Sequence, residues 1–206
     1  MGVFRAQRIT ALSSPEGPVA TPSGVLSWSQ VRELALPGAL IGLLGGMIAG
    51  GLAAASDLSL AIVLVMGIGL AVPLALAGAM YDLLLATGRF PLGTLAPAAL
   101  LWVIAFPPIR VAHAALTDLI AGEPVAVPHG WAAFVIYQVL VSVPFAIGFW
   151  WLHENFAPRW WFHIRERNPV ADHFVRVQLQ YAAAAEAENE RRRQRNRSRR
   201  KRRRKG

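Results

Sequence analysis

Four apolar runs without a charged side chain occupy most of the middle of this 206-residue chain. They cover residues 34–55, 58–80, 91–109 and 131–152, and at about twenty residues each is long enough to cross the hydrocarbon layer of a bilayer as a helix. A helix in a soluble core would carry polar positions on its outer face every few residues. The pattern therefore predicts an all-α integral membrane protein built as a four-transmembrane-helix bundle.

The third run is the least regular of the four. Pro97 lies inside it, and the pair Pro107-Pro108 near its end removes two backbone donors. We expect a kink or a break before Arg110, after which residues 110–121 would lie at the membrane interface.

Beyond Leu152 the chain mixes aromatic and charged residues. Residues 153–190 are predicted to form an interfacial belt followed by a cytoplasmic amphipathic helix. Asn168 suits the N-cap of that helix and Pro169 its first position. Its apolar face, at a spacing of four, three and four residues, consists of Val170, Phe174, Val177 and Tyr181.

The two ends of the chain are polar. Residues 1–33 are rich in turn-forming Pro and Gly and predict a flexible cytoplasmic leader. Residues 191–206 form an arginine-rich tail that is expected to be disordered, because like charges repel each other. The tail holds twelve of the 21 basic side chains, whereas residues 1–190 hold nine basic and twelve acidic ones. The net charge of +9 therefore belongs to the tail.

The distribution of basic residues predicts the topology. Arg5, Arg8 and Arg32 precede the first run, Arg89 and Arg110 lie in the second and third loops, and sixteen basic residues follow the fourth run. Short cytoplasmic loops are enriched in Lys and Arg, so both termini are predicted to be cytoplasmic. Arginine outnumbers lysine nineteen to two, a bias typical of GC-rich bacterial genomes. The predicted location is the bacterial inner (cytoplasmic) membrane.

The first run contains a row of glycines at four-residue intervals, Gly38, Gly42, Gly46 and Gly50. Small residues at this spacing let two membrane helices approach closely, so the row is predicted to be a helix-packing surface. Its partner is either the second helix of the same chain, or a second copy or another membrane protein. The short connection between the first two runs favours the second helix.

The tail predicts contact with an anionic surface. Clustered cations beside a cytoplasmic leaflet attract anionic lipid, and they also bind RNA or a ribosome through phosphates. A third alternative is a solvated tail that only fixes the topology. The candidate contact residues are Arg191, Arg192, Arg193, Arg195, Arg197, Arg199, Arg200, Lys201, Arg202, Arg203, Arg204 and Lys205.

Ionisable side chains are expected only near the ends of the spans. These are Asp82, Arg89, Arg110, His113, Asp118, His129, His153, Glu154 and His163. In the middle of the fourth run, Gln138 and Ser142 are one turn apart and predict hydrogen bonds between helices. Cysteine is absent, and no residues have the spacing of a catalytic or metal site, so no catalytic residue, metal or cofactor is predicted.

These patterns predict a small non-enzymatic polytopic membrane protein that acts by helix packing and by partner or lipid contacts, with its basic tail on anionic lipid. One alternative is a small transporter or channel component, suggested by proline in or beside every run. Another is a membrane enzyme with a site at the outer loop. That site would require His113 and Asp118 to approach each other beside Arg110 and His129.

Overall fold

All regular secondary structure is helical in the part of the chain that the structure, a computed structural model, describes. This part comprises residues 26–56, 58–127 and 130–203, with side chains described as far as residue 196. The five helices are α1 (Trp28–Ala54), α2 (Leu60–Ala86), α3 (Leu95–Ala121), α4 (Trp131–Ile164) and α5 (Pro169–Arg203). The first four are each long and apolar enough to cross a membrane, which confirms the predicted multi-pass, all-α membrane class.

Local chemistry explains where the helices begin and end. At the start of α1, Ser27 and Gln30 form a capping box, in which each side chain bonds to the other residue's backbone. This cap starts α1 six residues before the predicted first run. After α3, Gly122 has φ 76°, a left-handed conformation that ends a helix most easily at glycine.

The predicted break before Arg110 is wrong. Helix α3 continues through Pro107 and Pro108 to Ala121, so residues 110–121 belong to the same helix and not to a separate interfacial segment. Proline removes a backbone donor but keeps a helical φ, and packing against neighbouring membrane helices sustains such a helix. Similarly, α4 continues through Pro158 to Ile164, twelve residues beyond the predicted run.

Helices α1 to α4 alternate in direction, which defines two ends of the bundle. We call the end that holds the start of α1, the α2–α3 loop and the α4–α5 turn the α5 end, and the opposite end the hairpin end. The α5 end is fixed by a hydrogen bond from the Gln30 side chain in α1 to the Arg167 carbonyl, at 3.0 Å. The start of the first span and the end of the fourth therefore lie at the same end of the bundle, as they must when the number of spans is even.

Helices α1 and α2 form the closest pair in the bundle. A Cβ atom added at Gly38, Gly42 or Gly46 would overlap α2 at Gly78, Leu74 or Ala71. At Gly50 it would lie 2.7 Å from the Gly67 Cα atom. All four glycines of the row thus face the backbone of the second helix of the same chain.

Helix α5 begins at Pro169 with Asn168 as its N-cap, as predicted. Its first turns pack on α4, where the Trp161 and Phe174 rings lie 4.6 Å apart between centroids. Val170 is also buried, but Tyr181 is 61% exposed, so only the first part of the predicted apolar face is covered. The backbone remains helical to Arg203, although the like charges of the arginine-rich segment predict disorder there.

Candidate functional site

A carboxylate and an imidazole meet inside the bundle near its α5 end. The Asp82 side chain of α2 lies 2.6 Å from His153 of α4, between the atoms Oδ1 and Nε2. The exposed fractions of the two side chains are 1% and 0%. Removing a charge from water costs several kcal/mol unless it is paired and hydrogen-bonded, so this contact is the principal candidate site of the membrane domain.

The backbone of α1 supplies a second hydrogen bond to Asp82. The Gly38 N–H group donates to Asp82 Oδ2 at 2.6 Å. The approach is possible because neither Gly38 nor Gly78 has a side chain: a Cβ atom on Gly38 would lie 2.8 Å from Asp82 Oδ2 and would overlap Gly78. The first member of the glycine row therefore contributes directly to the buried polar site.

Aromatic rings surround His153 on several sides. Tyr81 meets it edge to face at 4.9 Å between ring centroids, Trp161 lies at 5.6 Å, and Phe149 stacks on it at 5.9 Å. Trp102 of α3 packs in turn on Phe149 at 4.9 Å. These rings exclude water and leave the Asp82–His153 contact in an apolar surrounding.

Several buried polar atoms near this contact have no hydrogen-bond partner among the described residues. They are Tyr81 Oη, Trp102 Nε1, Trp161 Nε1 and His153 Nδ1. The Glu154 carboxylate lies close to the unbonded imidazole nitrogen: its Oε1 atom is 4.0 Å from His153 Nδ1. Glu154 is 28% exposed. Its other carboxylate oxygen lies 4.0 Å from the point that a Cβ atom added to Gly93, in the α2–α3 loop, would occupy.

Asp82 and His153 lie near the α5 end, as expected, but they are within the helices and buried in the bundle. The predicted second and fourth runs stop short of them, at residues 80 and 152. Helix α2 in fact continues to Ala86 and α4 to Ile164. A sign of the buried carboxylate was available in the sequence: Gly67, Ala71 and Gly78 precede Asp82 on α2 at helical spacing, opposite the glycine row of α1.

A second polar contact lies within α3. The Arg110 guanidinium donates to His113 Nδ1 at 3.0 Å. Because α3 runs on to Ala121, Arg110 lies about 16 Å from its end, well inside the span. No carboxylate of the described residues forms an ion pair with Arg110.

The outer-loop enzyme site proposed from the sequence does not form in the described residues. His113 bonds to Arg110, whereas the Asp118 carboxylate accepts a hydrogen bond from the Ala126 N–H group at 3.1 Å. His129 lies outside the described residues. His113 instead lines a mostly apolar cavity of about 300 Å³ between α2 and α3, beside Gly69, Pro73 and Pro108.

Gln138 and Ser142 are both buried inside the bundle. The Ser142 hydroxyl donates to the Val139 carbonyl of its own helix at 2.6 Å, and not across to a neighbouring helix. A serine hydroxyl in a membrane helix commonly satisfies itself in this way when no partner helix offers an acceptor.

A group of hydrogen bonds that no pattern in the sequence predicts joins α1 to the α4–α5 turn. We call Gln30, Glu33, Trp160, Arg167 and Asn168 the collar. Trp160 Nε1 donates to the Glu33 carbonyl at 2.8 Å, and Arg167 Nε donates to the Glu33 side chain at 2.7 Å. The buried Asn168 side chain donates to the Gln30 carbonyl at 3.0 Å. The collar thereby fixes the start of α5 against α1.

The candidate contact residues of the tail lie on the far part of α5. Arg191, Arg192, Arg193 and Arg195 are exposed, and Arg192 also forms an ion pair with Glu188 at 2.9 Å. The guanidinium beside Glu188 lowers the pKa of that carboxyl. Of residues 197–203 only the helical backbone is described, and Arg204 and Lys205 lie outside the described residues.

No protein-family model matches this sequence, and comparison with curated proteins and with solved structures finds no similar chain.

The Asp82–His153 contact can bind and release a proton. Asp82 accepts from Gly38 N–H on one oxygen and shares a proton with His153 Nε2 on the other, an arrangement suited to an ionised carboxylate. A proton on Nδ1 would make the imidazole a cation and the pair neutral overall. Among the described residues, no cluster of three His, Asp or Glu side chains could hold a metal ion.

Proposed function

We propose that this chain is a small non-enzymatic protein of the bacterial inner membrane, whose four-helix unit holds a basic helix at the cytoplasmic surface against anionic lipid. The observation that carries the proposal is the contrast along α5. Its first turns pack on α4 and are tied to α1 by the collar, whereas its arginines 191–193 and 195 are exposed. A rigid base with an unpacked cationic extension is suited to contact with a surface.

The length of α5 supports this function. From Leu179, which is 59% exposed, to Arg203 the helix extends for about 37 Å at 1.5 Å per residue. Near an anionic leaflet, each Lys or Arg contributes roughly 1 kcal/mol of attraction, within a Debye length of about 8 Å. The cations therefore act on anionic headgroups only if α5 lies along the membrane surface, and salt weakens the contact.

In the same proposal, the glycine row serves to pack α1 on α2. Its four members face α2 and would clash with it if they carried a side chain, so a second copy or another membrane protein would have to bind elsewhere.

Spin labelling of the intact chain tests the lipid contact. The chain has no cysteine, so Ser198→Cys gives a single label site on the basic helix, and Ser56→Cys gives a control site at the hairpin end. In nanodiscs, the label at 198 is expected to be less mobile in anionic than in zwitterionic lipid and to regain mobility as salt rises, while the label at 56 responds to neither. Equal mobility of the label at 198 in both lipids would contradict the proposed lipid contact.

The competing partner is nucleic acid. If single-stranded RNA immobilised the label at 198 in the presence of anionic nanodiscs at physiological salt, RNA would replace lipid as the partner. Replacing Arg191, Arg192, Arg193 and Arg195 by glutamine should weaken either contact, and this variant serves as the matched control for charge.

Reporter fusions test the topology. Alkaline phosphatase fused after Gly122 should be active and a fusion after Gly206 inactive, because the hairpin end is proposed to face outward. The opposite pattern would place α5 outside the cell and would contradict the proposed cytoplasmic location.

A second candidate function is a small proton-coupled transporter component. The buried Asp82–His153 contact favours it, because ionisable side chains inside membrane spans often mark proton or ion paths. Proton flux into vesicles that contain the intact protein tests it. Flux that is lost in Asp82→Asn would support this function, and flux equal to that of empty vesicles would exclude it.

A further inference from the structure

We propose that Asp82 and His153 form a proton-binding site inside the membrane domain that exchanges its proton with water only at the α5 end, through Glu154. The proposal concerns the path of exchange and does not depend on the lipid contact of α5 or on transport across the membrane.

The first support is the position of the pair along the helices. Asp82 lies four residues before the last residue of α2, about 6 Å from the α5 end. In the other direction, the same helix continues for 22 residues, about 33 Å, to Leu60 at the hairpin end. Its residues between Leu60 and Met80 are uncharged and mostly apolar, so the hairpin end offers no path of ionisable groups along α2.

The second support is the alignment of three ionisable groups from the interior to the surface. Asp82 is buried and bonded to His153 Nε2, His153 Nδ1 is buried and without a hydrogen-bond partner among the described residues, and Glu154 Oε1 is 4.0 Å from that nitrogen. The partly exposed Glu154 is the only one of the three with access to water. A small rotation of its side chain would close the gap to a hydrogen bond.

The proton can be followed through each step. A Glu154 carboxyl that has taken a proton from water donates it to His153 Nδ1, which leaves Glu154 as a carboxylate and His153 as an imidazolium. The Nε2 proton remains in the bond to Asp82 Oδ1. The buried pair thereby changes from one net negative charge to neutral, and the reverse transfer returns the proton to water.

Other groups near the imidazole do not provide an equivalent path. Among the described residues, the titratable groups that face His153 are Tyr81 and Asp82 from α2 and Glu154 from α4. The α1 group at this site is the Gly38 N–H, which bonds to Asp82 and does not titrate. The neighbouring rings Trp161 and Phe149 do not titrate. Tyr81 is the one rival donor, and its ring meets His153 edge to face.

Nitrogen-15 NMR of the intact chain in nanodiscs tests the path, with histidine labelled and the His153 signal identified by its loss in His153→Gln. The measurement is the rate at which the Nδ1 proton exchanges with water. Glu154→Gln should slow this exchange roughly 100-fold, the lower limit of what a positioned acid or base contributes. The Nε2 signal should keep its position, because the bond to Asp82 is not altered.

Two control variants make the outcome decisive. Glu166→Gln removes an exposed carboxylate from the same end of the bundle and should leave the rate unchanged. Tyr81→Phe removes the rival donor and should also leave it unchanged. An unaltered rate in Glu154→Gln, an equal loss in Glu166→Gln, or a loss in Tyr81→Phe instead would each overturn the proposal.

Discussion

The indole of Trp160 in α4 donates its hydrogen bond to the backbone carbonyl of Glu33 in α1, at 2.8 Å. Four residues after Glu33 stands Pro37, which has no N–H group to offer that carbonyl within the helix. The proline thus frees an acceptor on α1, and the tryptophan of another helix satisfies it. A residue that weakens one helix thereby creates a specific bond between two.

This relationship predicts a coupling between Pro37 and Trp160. Trp160→Phe should lower the free energy of unfolding in detergent by about 1 kcal/mol, because the Glu33 carbonyl loses its hydrogen-bond donor. In a Pro37→Ala background the loss should be smaller, since the alanine would supply an N–H group within α1. Trp151→Phe, at a tryptophan of α4 that is 59% exposed, is the matched control. Equal losses in both backgrounds would show that the two residues act independently.

The Asp82–His153 contact predicts strongly non-additive effects. Asp82→Leu would leave a buried imidazole without its carboxylate, and His153→Leu would leave a buried carboxylate bonded only to the Gly38 N–H group, so each should destabilise the protein by about 3–5 kcal/mol. The double variant should lose less than the sum, because both polar groups are gone. Thermal unfolding in detergent measures all three.

A second double variant provides the control for that cycle. Gln138 is buried in the same helix as His153, about 22 Å away along its axis. The effects of Asp82→Leu and Gln138→Leu should add within about 0.5 kcal/mol. Additivity in both cycles would mean that Asp82 and His153 are not energetically coupled.

The class of the protein could be predicted from the sequence because hydrophobic runs of bilayer length are a strong one-dimensional signal. The helix start at Asn168-Pro169 was likewise visible, since capping depends on neighbouring residues. The ends of α2, α3 and α4 were not, because Asp82, Pro107 and His153 each resemble a boundary when read alone. Packing between helices decides whether such residues end a span or lie within it.

The partner of a buried polar group is a further property that spacing does not reveal. Asp82 and His153 are 71 residues apart, and only the packing of α2 and α4, which run in the same direction, brings them together. The arrangement also requires that Gly38 and Gly78 approach without side chains, which is a property of two helices and not of either one.

The glycine row predicts a graded response to a single methyl group. Gly42→Ala should destabilise the protein by about 1–3 kcal/mol, because the new Cβ would overlap Leu74 of α2 and force the helices apart. Gly51→Ala is the control, since a Cβ there meets nothing within 4 Å and alanine is the better helix former. Gly45 is a poorer control, because its Cβ would lie 3.1 Å from Phe145. Equal melting temperatures for the Gly42 and Gly51 variants would contradict the close packing of α1 on α2.

Asn168 determines the attachment of α5, and its substitution should release that helix without unfolding the bundle. Its side chain accepts the Ala171 N–H group at 3.4 Å as the N-cap and donates to the Gln30 carbonyl of α1 at 3.0 Å. Asn168→Ala removes both bonds and should cost about 1–2 kcal/mol locally. The expected result is faster amide hydrogen exchange in residues 170–178, while α1 to α4 keep their rates. Asn196→Ala, at an exposed asparagine of the same helix, should change neither. If exchange in α5 stayed slow in Asn168→Ala, the apolar contact of Trp161 with Phe174 would suffice to hold α5, and the collar would have no role in orienting it.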